Sequence, residues 1–298
     1  MHNNILITGA SGFIATYLNL LRPEGLKIFL SSHRNSENEN NVNISTINLR
    51  DRSQMEKYLV QNNISTIIHC AGDANVDSVE RNILNGIDSN LLTTINLVNL
   101  SNKLGINFVF ISSNAVFDGS AAPYNENSIP NPINKYGLIK LGCEQIIRET
   151  LTNYCIIRPI LTYGWNISST RGNPVTLVLN QLSENKSIKM VNDIYENPVY
   201  VKQVVEVIWK LVLNKYSGIF HIAGGTILNR YQLALCVADV FKLNKKLIFE
   251  CESVEFSQLA PRPKNTSLST NKIESILKIE PLEISEGLML MREELSKR

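Results

Sequence analysis

The sequence has no apolar run approaching the ~20 residues that a bilayer-spanning helix needs. A signal peptide is not expected either, because a strand-like run opens by about residue 4. Charge of one sign is missing: 29 Lys and Arg stand against 27 Asp and Glu, a net charge of +2. No basic stripe interleaved with aromatics appears, so a nucleic-acid partner gains no support. The cysteines Cys70, Cys143, Cys155, Cys236 and Cys251 are odd in number, widely spaced and form no C-x-x-C pair. This pattern argues against a disulfide framework and reads as reduced core thiols in a cytoplasmic protein. No metal site and no membrane contact are expected. Repeats of solenoid period are absent, and no Gly/Ser/Pro-rich linker divides the chain.

What the sequence does have is enough apolar content, 44% of 298 residues, for one large core or two modest ones. Short β-rich runs alternate with helix-length segments through the first half, the pattern of an α/β parallel sheet flanked by helices. Strands are predicted at Asn4–Thr8, Lys27–Ser31, Ile44–Asn48, Thr66–Cys70, Phe108–Ser112 and Cys155–Arg158. Helices are predicted at Phe13–Leu21, Ser53–Gln61, Gly86–Leu104 and Asn134–Thr152. The polar run from His33 to Asn43 reads as a loop. After Pro159 the rhythm changes, with helices expected at Val175–Glu184, Lys202–Leu213, Arg230–Phe241 and Asn271–Leu277. A strand at Gly218–Ala223 is expected to return to the main sheet.

The turn after the first strand reads "TGASGFIA", from Thr8 to Ala15. Gly9 suits a tight turn, Gly12 lets the backbone approach a pyrophosphate, and Ala15 permits close helix–strand packing. The N–H groups opening the following helix favour an anion. In this strand–turn–helix setting, Gly9, Ser11, Gly12, Phe13 and Ile14 are expected to hold a dinucleotide, in a doubly wound Rossmann-type sheet. Residues 1–158 would then form the dinucleotide-binding domain and 159–298 mainly a smaller substrate-binding region. The end of the second strand, "LSSHRNS", carries no carboxylate before Glu37. Ser32, His33 and Arg34 are instead suited to a 2′-phosphate, which favours NADP(H) with NAD(H) as the alternative.

Tyr136 and Lys140 stand four apart in "NKYGLIKLGCE", on one face of a predicted helix. A free tyrosine with a pKa of about 10 is a poor acid–base catalyst at neutral pH, and a nearby cation corrects that. The helix follows a strand ending in Ser112–Ser113. Ser113, Tyr136 and Lys140 therefore form a candidate proton-transfer group beside a nicotinamide. His69, at a strand end, reads as a packed core histidine, and Trp165 as a packing residue.

The stretches "ILITGASGFIA", "STIIHCAG", "FVFISSNAVFDG", "PYNENSIPNPINKYGLIKLGCE", "IIRPILTYG", "GIFHIAGG" and "LAPRPKNTSLSTNKI" run in order through nearly the whole chain. With these motifs the chain resembles an extended short-chain dehydrogenase/reductase of the dTDP-4-dehydrorhamnose reductase group. The resemblance implies a catalytic hydroxyl at Ser113, with Tyr136 as the proton donor and Lys140 as its partner. It implies an adenine pocket at Asn48–Leu49, a nicotinamide-ribose side at Cys70–Ala71–Gly72, and further cofactor contacts at Asn90, Ser112, Pro159 and Ile160. Substrate contacts are expected at Asn75, Asn114, Asn173 and Arg262.

One departure matters. The group usually reads Ser-Thr-Asp-Tyr before "VFDG", and this chain reads Ser112-Ser113-Asn114-Ala115. The altered pocket bears on which sugar is taken, and the acidic pair of the superfamily's dehydratases is absent. The expectation is an NADPH-dependent reductase of a nucleotide-activated 4-keto-6-deoxysugar, with a nucleotide-sugar as the small-molecule partner and a homodimer as the assembly. Two alternatives stand beside it. One is an NAD-retaining sugar-nucleotide epimerase; the other is a non-catalytic regulatory subunit like that of methionine adenosyltransferase, which is similar to the same group.

Overall fold

Alternation of side chains along β1 (Asn4–Thr8) decides the architecture. Ile5 and Ile7 enter one buried cluster, while Leu6 between them enters another. A strand buried on both faces needs helices on both faces. The computed structural model, which describes residues 4–32, 44–167, 172–256 and 259–295, has that layering.

The strands β2 (Lys27–Ser32), β3 (Ile44–Thr46), β4 (Thr66–His69), β5 (Asn107–Ile111) and β6 (Tyr154–Pro159) join β1 in one sheet. With Gly218–Ile222 as the outermost strand beside β6, the order is 218–222, β6, β5, β4, β1, β2, β3, parallel throughout. The order reverses between β1 and β4, so a crevice opens beyond their carboxyl ends, where such sheets take ligands.

Helix α1 (Phe13–Leu20) follows β1, and α2 (Arg52–Gln61) starts at Asp51, whose carboxylate accepts from the Gln54 N–H. The region predicted as one helix at 86–104 is more broken. The short helices α3 (Val76–Arg81) and α4 (Ile83–Gly86) precede a π-helical turn at Ile87–Leu92, and only then does α5 (Thr93–Leu104) run to a left-handed Gly105. Helix α6 (Lys135–Thr150) is capped by Asn134.

In the second half, helices Pro174–Ser183, Val201–Leu213, Arg230–Phe241 and Asn271–Leu277 fall near their predicted positions. Helix Ile284–Leu295 and three two-stranded ribbons were not expected. Val178, Val205 and Leu233 share a buried cluster with Ile5, Ile7 and Tyr17, so the later helices complete the core of the first-half sheet. Each such aliphatic side chain contributes about 1.5–3 kcal/mol of burial energy.

Candidate active site

The turn from β1 to α1 is braced from beneath. Gly9 lies at φ +70°, and a Cβ there would sit 2.7 Å from the Ala71 backbone, so the position requires glycine. The Gly12 N–H donates to the Gly9 carbonyl at 2.8 Å, and Ala10 N–H to Ser31 O at 3.0 Å. Gly12 is the N-cap of α1, and no side chain caps it. A glycine turn at the sheet's switch point, opening a helix that no side chain caps, fits a pyrophosphate. Ser11 and Ser32 stand with their hydroxyl oxygens 3.4 Å apart at the end of β2. His33 and Arg34 lie outside the described residues.

His69 underlies the same turn. Thr94 Oγ1 donates to Asn90 O at 2.6 Å and so accepts from His69 Nε2 at 3.2 Å, which leaves Nδ1 to accept from Thr8 Oγ1 at 2.7 Å. The Thr8 hydroxyl in turn receives the Ala71 N–H at 3.3 Å. Burial, with Lys140 nearby, lowers the His69 pKa to about 3. This histidine is a neutral packing group, as the sequence reading favoured. Burial likewise pushes the Cys70 thiol up to about 12, which makes it inert.

Asn90 sits in the π-turn at 2% exposure. Its Nδ2 donates to Gly86 O at 3.0 Å, while its Oδ1 is buried without a partner among the described residues. Gly72, at φ +146°, leaves room for that oxygen, since a Cβ there would come within 2.2 Å of it. Asn48 folds its Oδ1 back to accept the Arg50 N–H at 3.1 Å, and Leu49 O accepts from Asn96 Nδ2 at 2.6 Å.

The β5 end carries the proton-transfer candidates. Lys140, 6% exposed, donates from Nζ to Ile111 O at 2.9 Å. Its ammonium lies 4.6 Å from the centre of the Phe110 ring and 5.9 Å from that of Tyr136. Tyr136 is itself buried. Ser113 Oγ accepts the Ala115 N–H at 3.1 Å, closing the short turn Asn114–Val116. The first turn of α6 packs onto that turn so closely that a Cβ on Gly137 would lie 2.1 Å from Ala115 O. Backbone contact therefore sets the spacing between Ser113 and Tyr136.

Ser112 points elsewhere. Its hydroxyl donates to Glu144, one helical turn beyond Lys140. Glu144 forms a two-point ion pair with Arg158, and Arg158 Nη1 reaches His221 Nε2 at 3.3 Å. His221 Nδ1 donates to Tyr124 O at 3.2 Å, and burial with Arg158 beside it lowers its pKa to about 3. Pro159 closes β6, and buried Ile160 donates its N–H to Ile222 O at 3.1 Å.

The expected substrate contacts sit on separate elements, each with partners of its own. Asn75 caps α3 and Asn173 caps helix Pro174–Ser183, with Asn173 Nδ2 also donating to Gly164 O at 2.8 Å. Asn114 Nδ2 donates to Thr266 Oγ1 at 2.7 Å. Arg262 Nη2 pairs with Asp77 at 2.9 Å, leaving Nη1 buried without a partner among the described residues. Trp165 packs edge-on to Phe241 and donates Nε1 to Met291 O at 2.7 Å. Sequence reasoning passed over Glu144, Arg158, His221, Glu196 and Arg230. The signal for Arg158 was available: a lone cation inside the apolar run "CIIRPI" implies a buried counter-charge.

Known proteins are similar to this chain in sequence and in fold. The chain is 28% identical over 236 residues to methionine adenosyltransferase 2 subunit beta of Xenopus laevis, covering 77% of this chain and 70% of that one. It is 25% identical over 277 residues to the spore coat polysaccharide biosynthesis protein SpsK of Bacillus subtilis, covering 91% and 90%. The crystal structure of dTDP-4-dehydrorhamnose reductase from Bacillus anthracis in complex with NADP superposes with a TM-score of 0.87 at 25% identity, covering 99% of this chain and 100% of that one. The family model described as the RmlD substrate binding domain matches residues 3–297. With a seven-stranded parallel sheet, a glycine turn at its switch point and that match end to end, the chain belongs to the RmlD substrate binding domain family.

Proposed function

We propose that this protein is an NADPH-dependent reductase of a nucleotide-activated 4-keto-6-deoxysugar. One observation carries the reading: Tyr136 and Lys140 share a face of α6, and Lys140 is tied by its 2.9 Å bond to the last carbonyl of β5, two residues before Ser113. The name of the Bacillus anthracis structure supports the substrate class and the cofactor.

Gly9, Ser11, Gly12, Phe13 and Ile14 would hold the pyrophosphate, with Ser32, His33 and Arg34 toward the 2′-phosphate. Asn48 and Leu49 would lie at the adenine. Cys70, Ala71, Gly72, Asn90, Pro159 and Ile160 would flank the nicotinamide end, and Ser112 would support it through the strand end. When bound, NADPH supplies a hydride to the keto carbon, forming the new C–H bond. The carbonyl π-pair moves onto oxygen, and Tyr136 passes its phenolic proton to that oxygen. Ser113 holds the oxygen by donating its hydroxyl hydrogen. Lys140 places a positive charge 5.9 Å from the centre of the Tyr136 ring, where it would stabilise the negative charge left on the phenol oxygen, and it would also hold the nicotinamide ribose. The phenolate is then reprotonated from solvent, and the alcohol is released. Asn75, Asn114, Asn173 and Arg262 would position the sugar nucleotide.

The testing experiment follows NADPH absorbance with TDP-, UDP-, CDP- and GDP-4-keto-6-deoxysugars. Stoichiometric NADPH loss with one of them is expected. Turnover of a sugar nucleotide with no net NADPH loss would favour the NAD-retaining epimerase. The likeness to methionine adenosyltransferase 2 subunit beta favours a second reading, a binding subunit for another enzyme. Recovery of a stoichiometric enzyme partner, with no turnover on any keto-sugar, would establish that reading instead.

A further inference from the structure

The residue after Ser113 is engaged by the second half of the chain. Asn114 Nδ2 donates to Thr266 Oγ1 at 2.7 Å and to Glu196 Oε1 at 3.3 Å. Glu196 Oε2 pairs with Arg230 Nη2 at 2.6 Å, the two side chains being 13% and 25% exposed. The ribbon of Tyr195–Glu196 with Leu228–Asn229 sets both residues in place, because Arg230 follows directly as the first residue of its helix. Arg230 Nη1 is buried and has no partner among the described residues. An unmet buried donor on a charged group is costly, so such a donor is the natural place for an oxygen brought by a ligand.

The charge balance selects that ligand. Glu196 cancels the Arg230 cation, so the pair as a unit is a poor receptor for a diphosphate. A neutral hydroxyl suits it, accepting from the guanidinium and donating to the carboxylate. Asn114 belongs to the same unit as a donor. An aspartate there would face the Glu196 carboxylate across the present 3.3 Å contact.

We propose that Glu196 and Arg230, tied to Asn114, form the subsite that reads a hydroxyl of the substrate's sugar close to the reacting carbon. The hydroxyl oxygen accepts a hydrogen bond from Arg230 Nη1, and its O–H donates one to the Glu196 carboxylate. This assignment rests on the reductase reading and adds to it the residues that choose the sugar.

The test separates sugar from nucleotide and from cofactor. Calorimetry measures binding of dTDP-, UDP-, CDP- and GDP-6-deoxyhexoses, each beside its bare nucleoside diphosphate, and fluorescence titration measures NADPH. For the pair that the parent binds best, Arg230→Gln weakens the sugar nucleotide about 10–100-fold. Its affinities for the bare diphosphate and for NADPH stay within about twofold. Arg230→Lys keeps the charge opposite Glu196 but lacks the guanidinium's second terminal nitrogen, the one that faces the hydroxyl, and it shows the same selective loss, which carries the test if the glutamine variant folds poorly. Asn114→Asp also loses sugar affinity, and adding Glu196→Gln restores most of it. Parent-like sugar binding in both Arg230 variants, or equal losses for sugar nucleotide and bare diphosphate, overturns the subsite. If the parent binds none of the sugar nucleotides better than the bare diphosphates, the reductase reading falls and this proposal with it.

Discussion

Arg158 meets Glu144 with two parallel donors, Nε to Oε1 at 2.9 Å and Nη2 to Oε2 at 2.6 Å, and both side chains are 1% exposed. The pair joins the middle of α6 to the end of β6. Ser112 on one side and His221 on the other extend it from the β5 terminus to the outermost strand. A charge pair this deep sits directly behind the residue that precedes Ser113, where a shift of either partner moves the strand end.

Breaking that pair should be expensive. Glu144→Ala leaves a buried guanidinium uncompensated, a loss of about 3–5 kcal/mol. Urea denaturation checks it, and Glu144→Met combined with Arg158→Met should cost less than Glu144→Ala alone. A single variant with parent stability would show that water reaches the site.

Tyr136→Phe should keep NADPH affinity and lose about 10²–10⁴ in turnover, because the ring still packs and only the proton donor is gone. Lys140→Met should cost more and weaken NADPH binding as well, since it also leaves Ile111 O without its donor. Steady-state kinetics on the active keto-sugar, with fluorescence titration of NADPH, read both. Parent turnover in Tyr136→Phe would mean the proton has another source.

Two glycines in one turn should respond differently. Gly9→Ala forces a side chain into the left-handed region and against the Ala71 backbone at 2.7 Å, so the fold itself should lose about 1–3 kcal/mol. Gly12 has ordinary extended dihedrals, although a Cβ there would lie 3.0 Å from Gly9 O, so Gly12→Val should abolish NADPH binding and lower Tm less than Gly9→Ala does. Thermal melts with and without NADPH distinguish the two.

Acid should destabilise the protein through its buried imidazoles. His69 and His221 have folded pKa values of about 3, below the unfolded value of about 6.5. The unfolded chain therefore takes up protons that the native state refuses. Stability is complete above the unfolded value and is lost as pH falls from about 6.5 toward 3, near 2 kcal/mol per histidine by pH 5. Urea midpoints at pH 7 and 5 measure the loss. A proton NMR titration should show neither native imidazole charging above pH 4.

Arg34→Ala should weaken NADPH more than NADH, by about ten- to a hundredfold, since only NADPH carries the 2′-phosphate. Equal losses for the two cofactors would remove Arg34 from that role.

The strands of the seven-stranded sheet and the helices α1, α2 and α6 were legible because they are local: apolar runs of strand length, and helix-length segments with recognisable starts. The same locality exposed the Gly9–Gly12 turn and the Tyr136–Lys140 pair. The π-turn at Ile87–Leu92 was not legible, since its sequence "IDSNLL" continues the helical pattern on either side. The ribbon of Ile188–Val191 with Ile248–Cys251 depends on a partner far along the chain. Helix Ile284–Leu295 did leave a trace, with Ile284, Leu288 and Met291 buried at helical spacing. The Glu144–Arg158 pair and the Asn114–Glu196–Arg230 unit needed three-dimensional placement, because their members come from separate elements.

The strand Gly218–Ile222 runs in register with β6 from Cys155 to Pro159. During synthesis, β6 is complete long before its neighbour exists. Its outer row of N–H and C=O groups stays open on the emerging chain until residue 222 has left the ribosome. An open strand edge of this kind is a template for pairing with other chains. A ribosome stalled between these two points would hold a nascent chain prone to self-association, and the peptide that cures it is only five residues long.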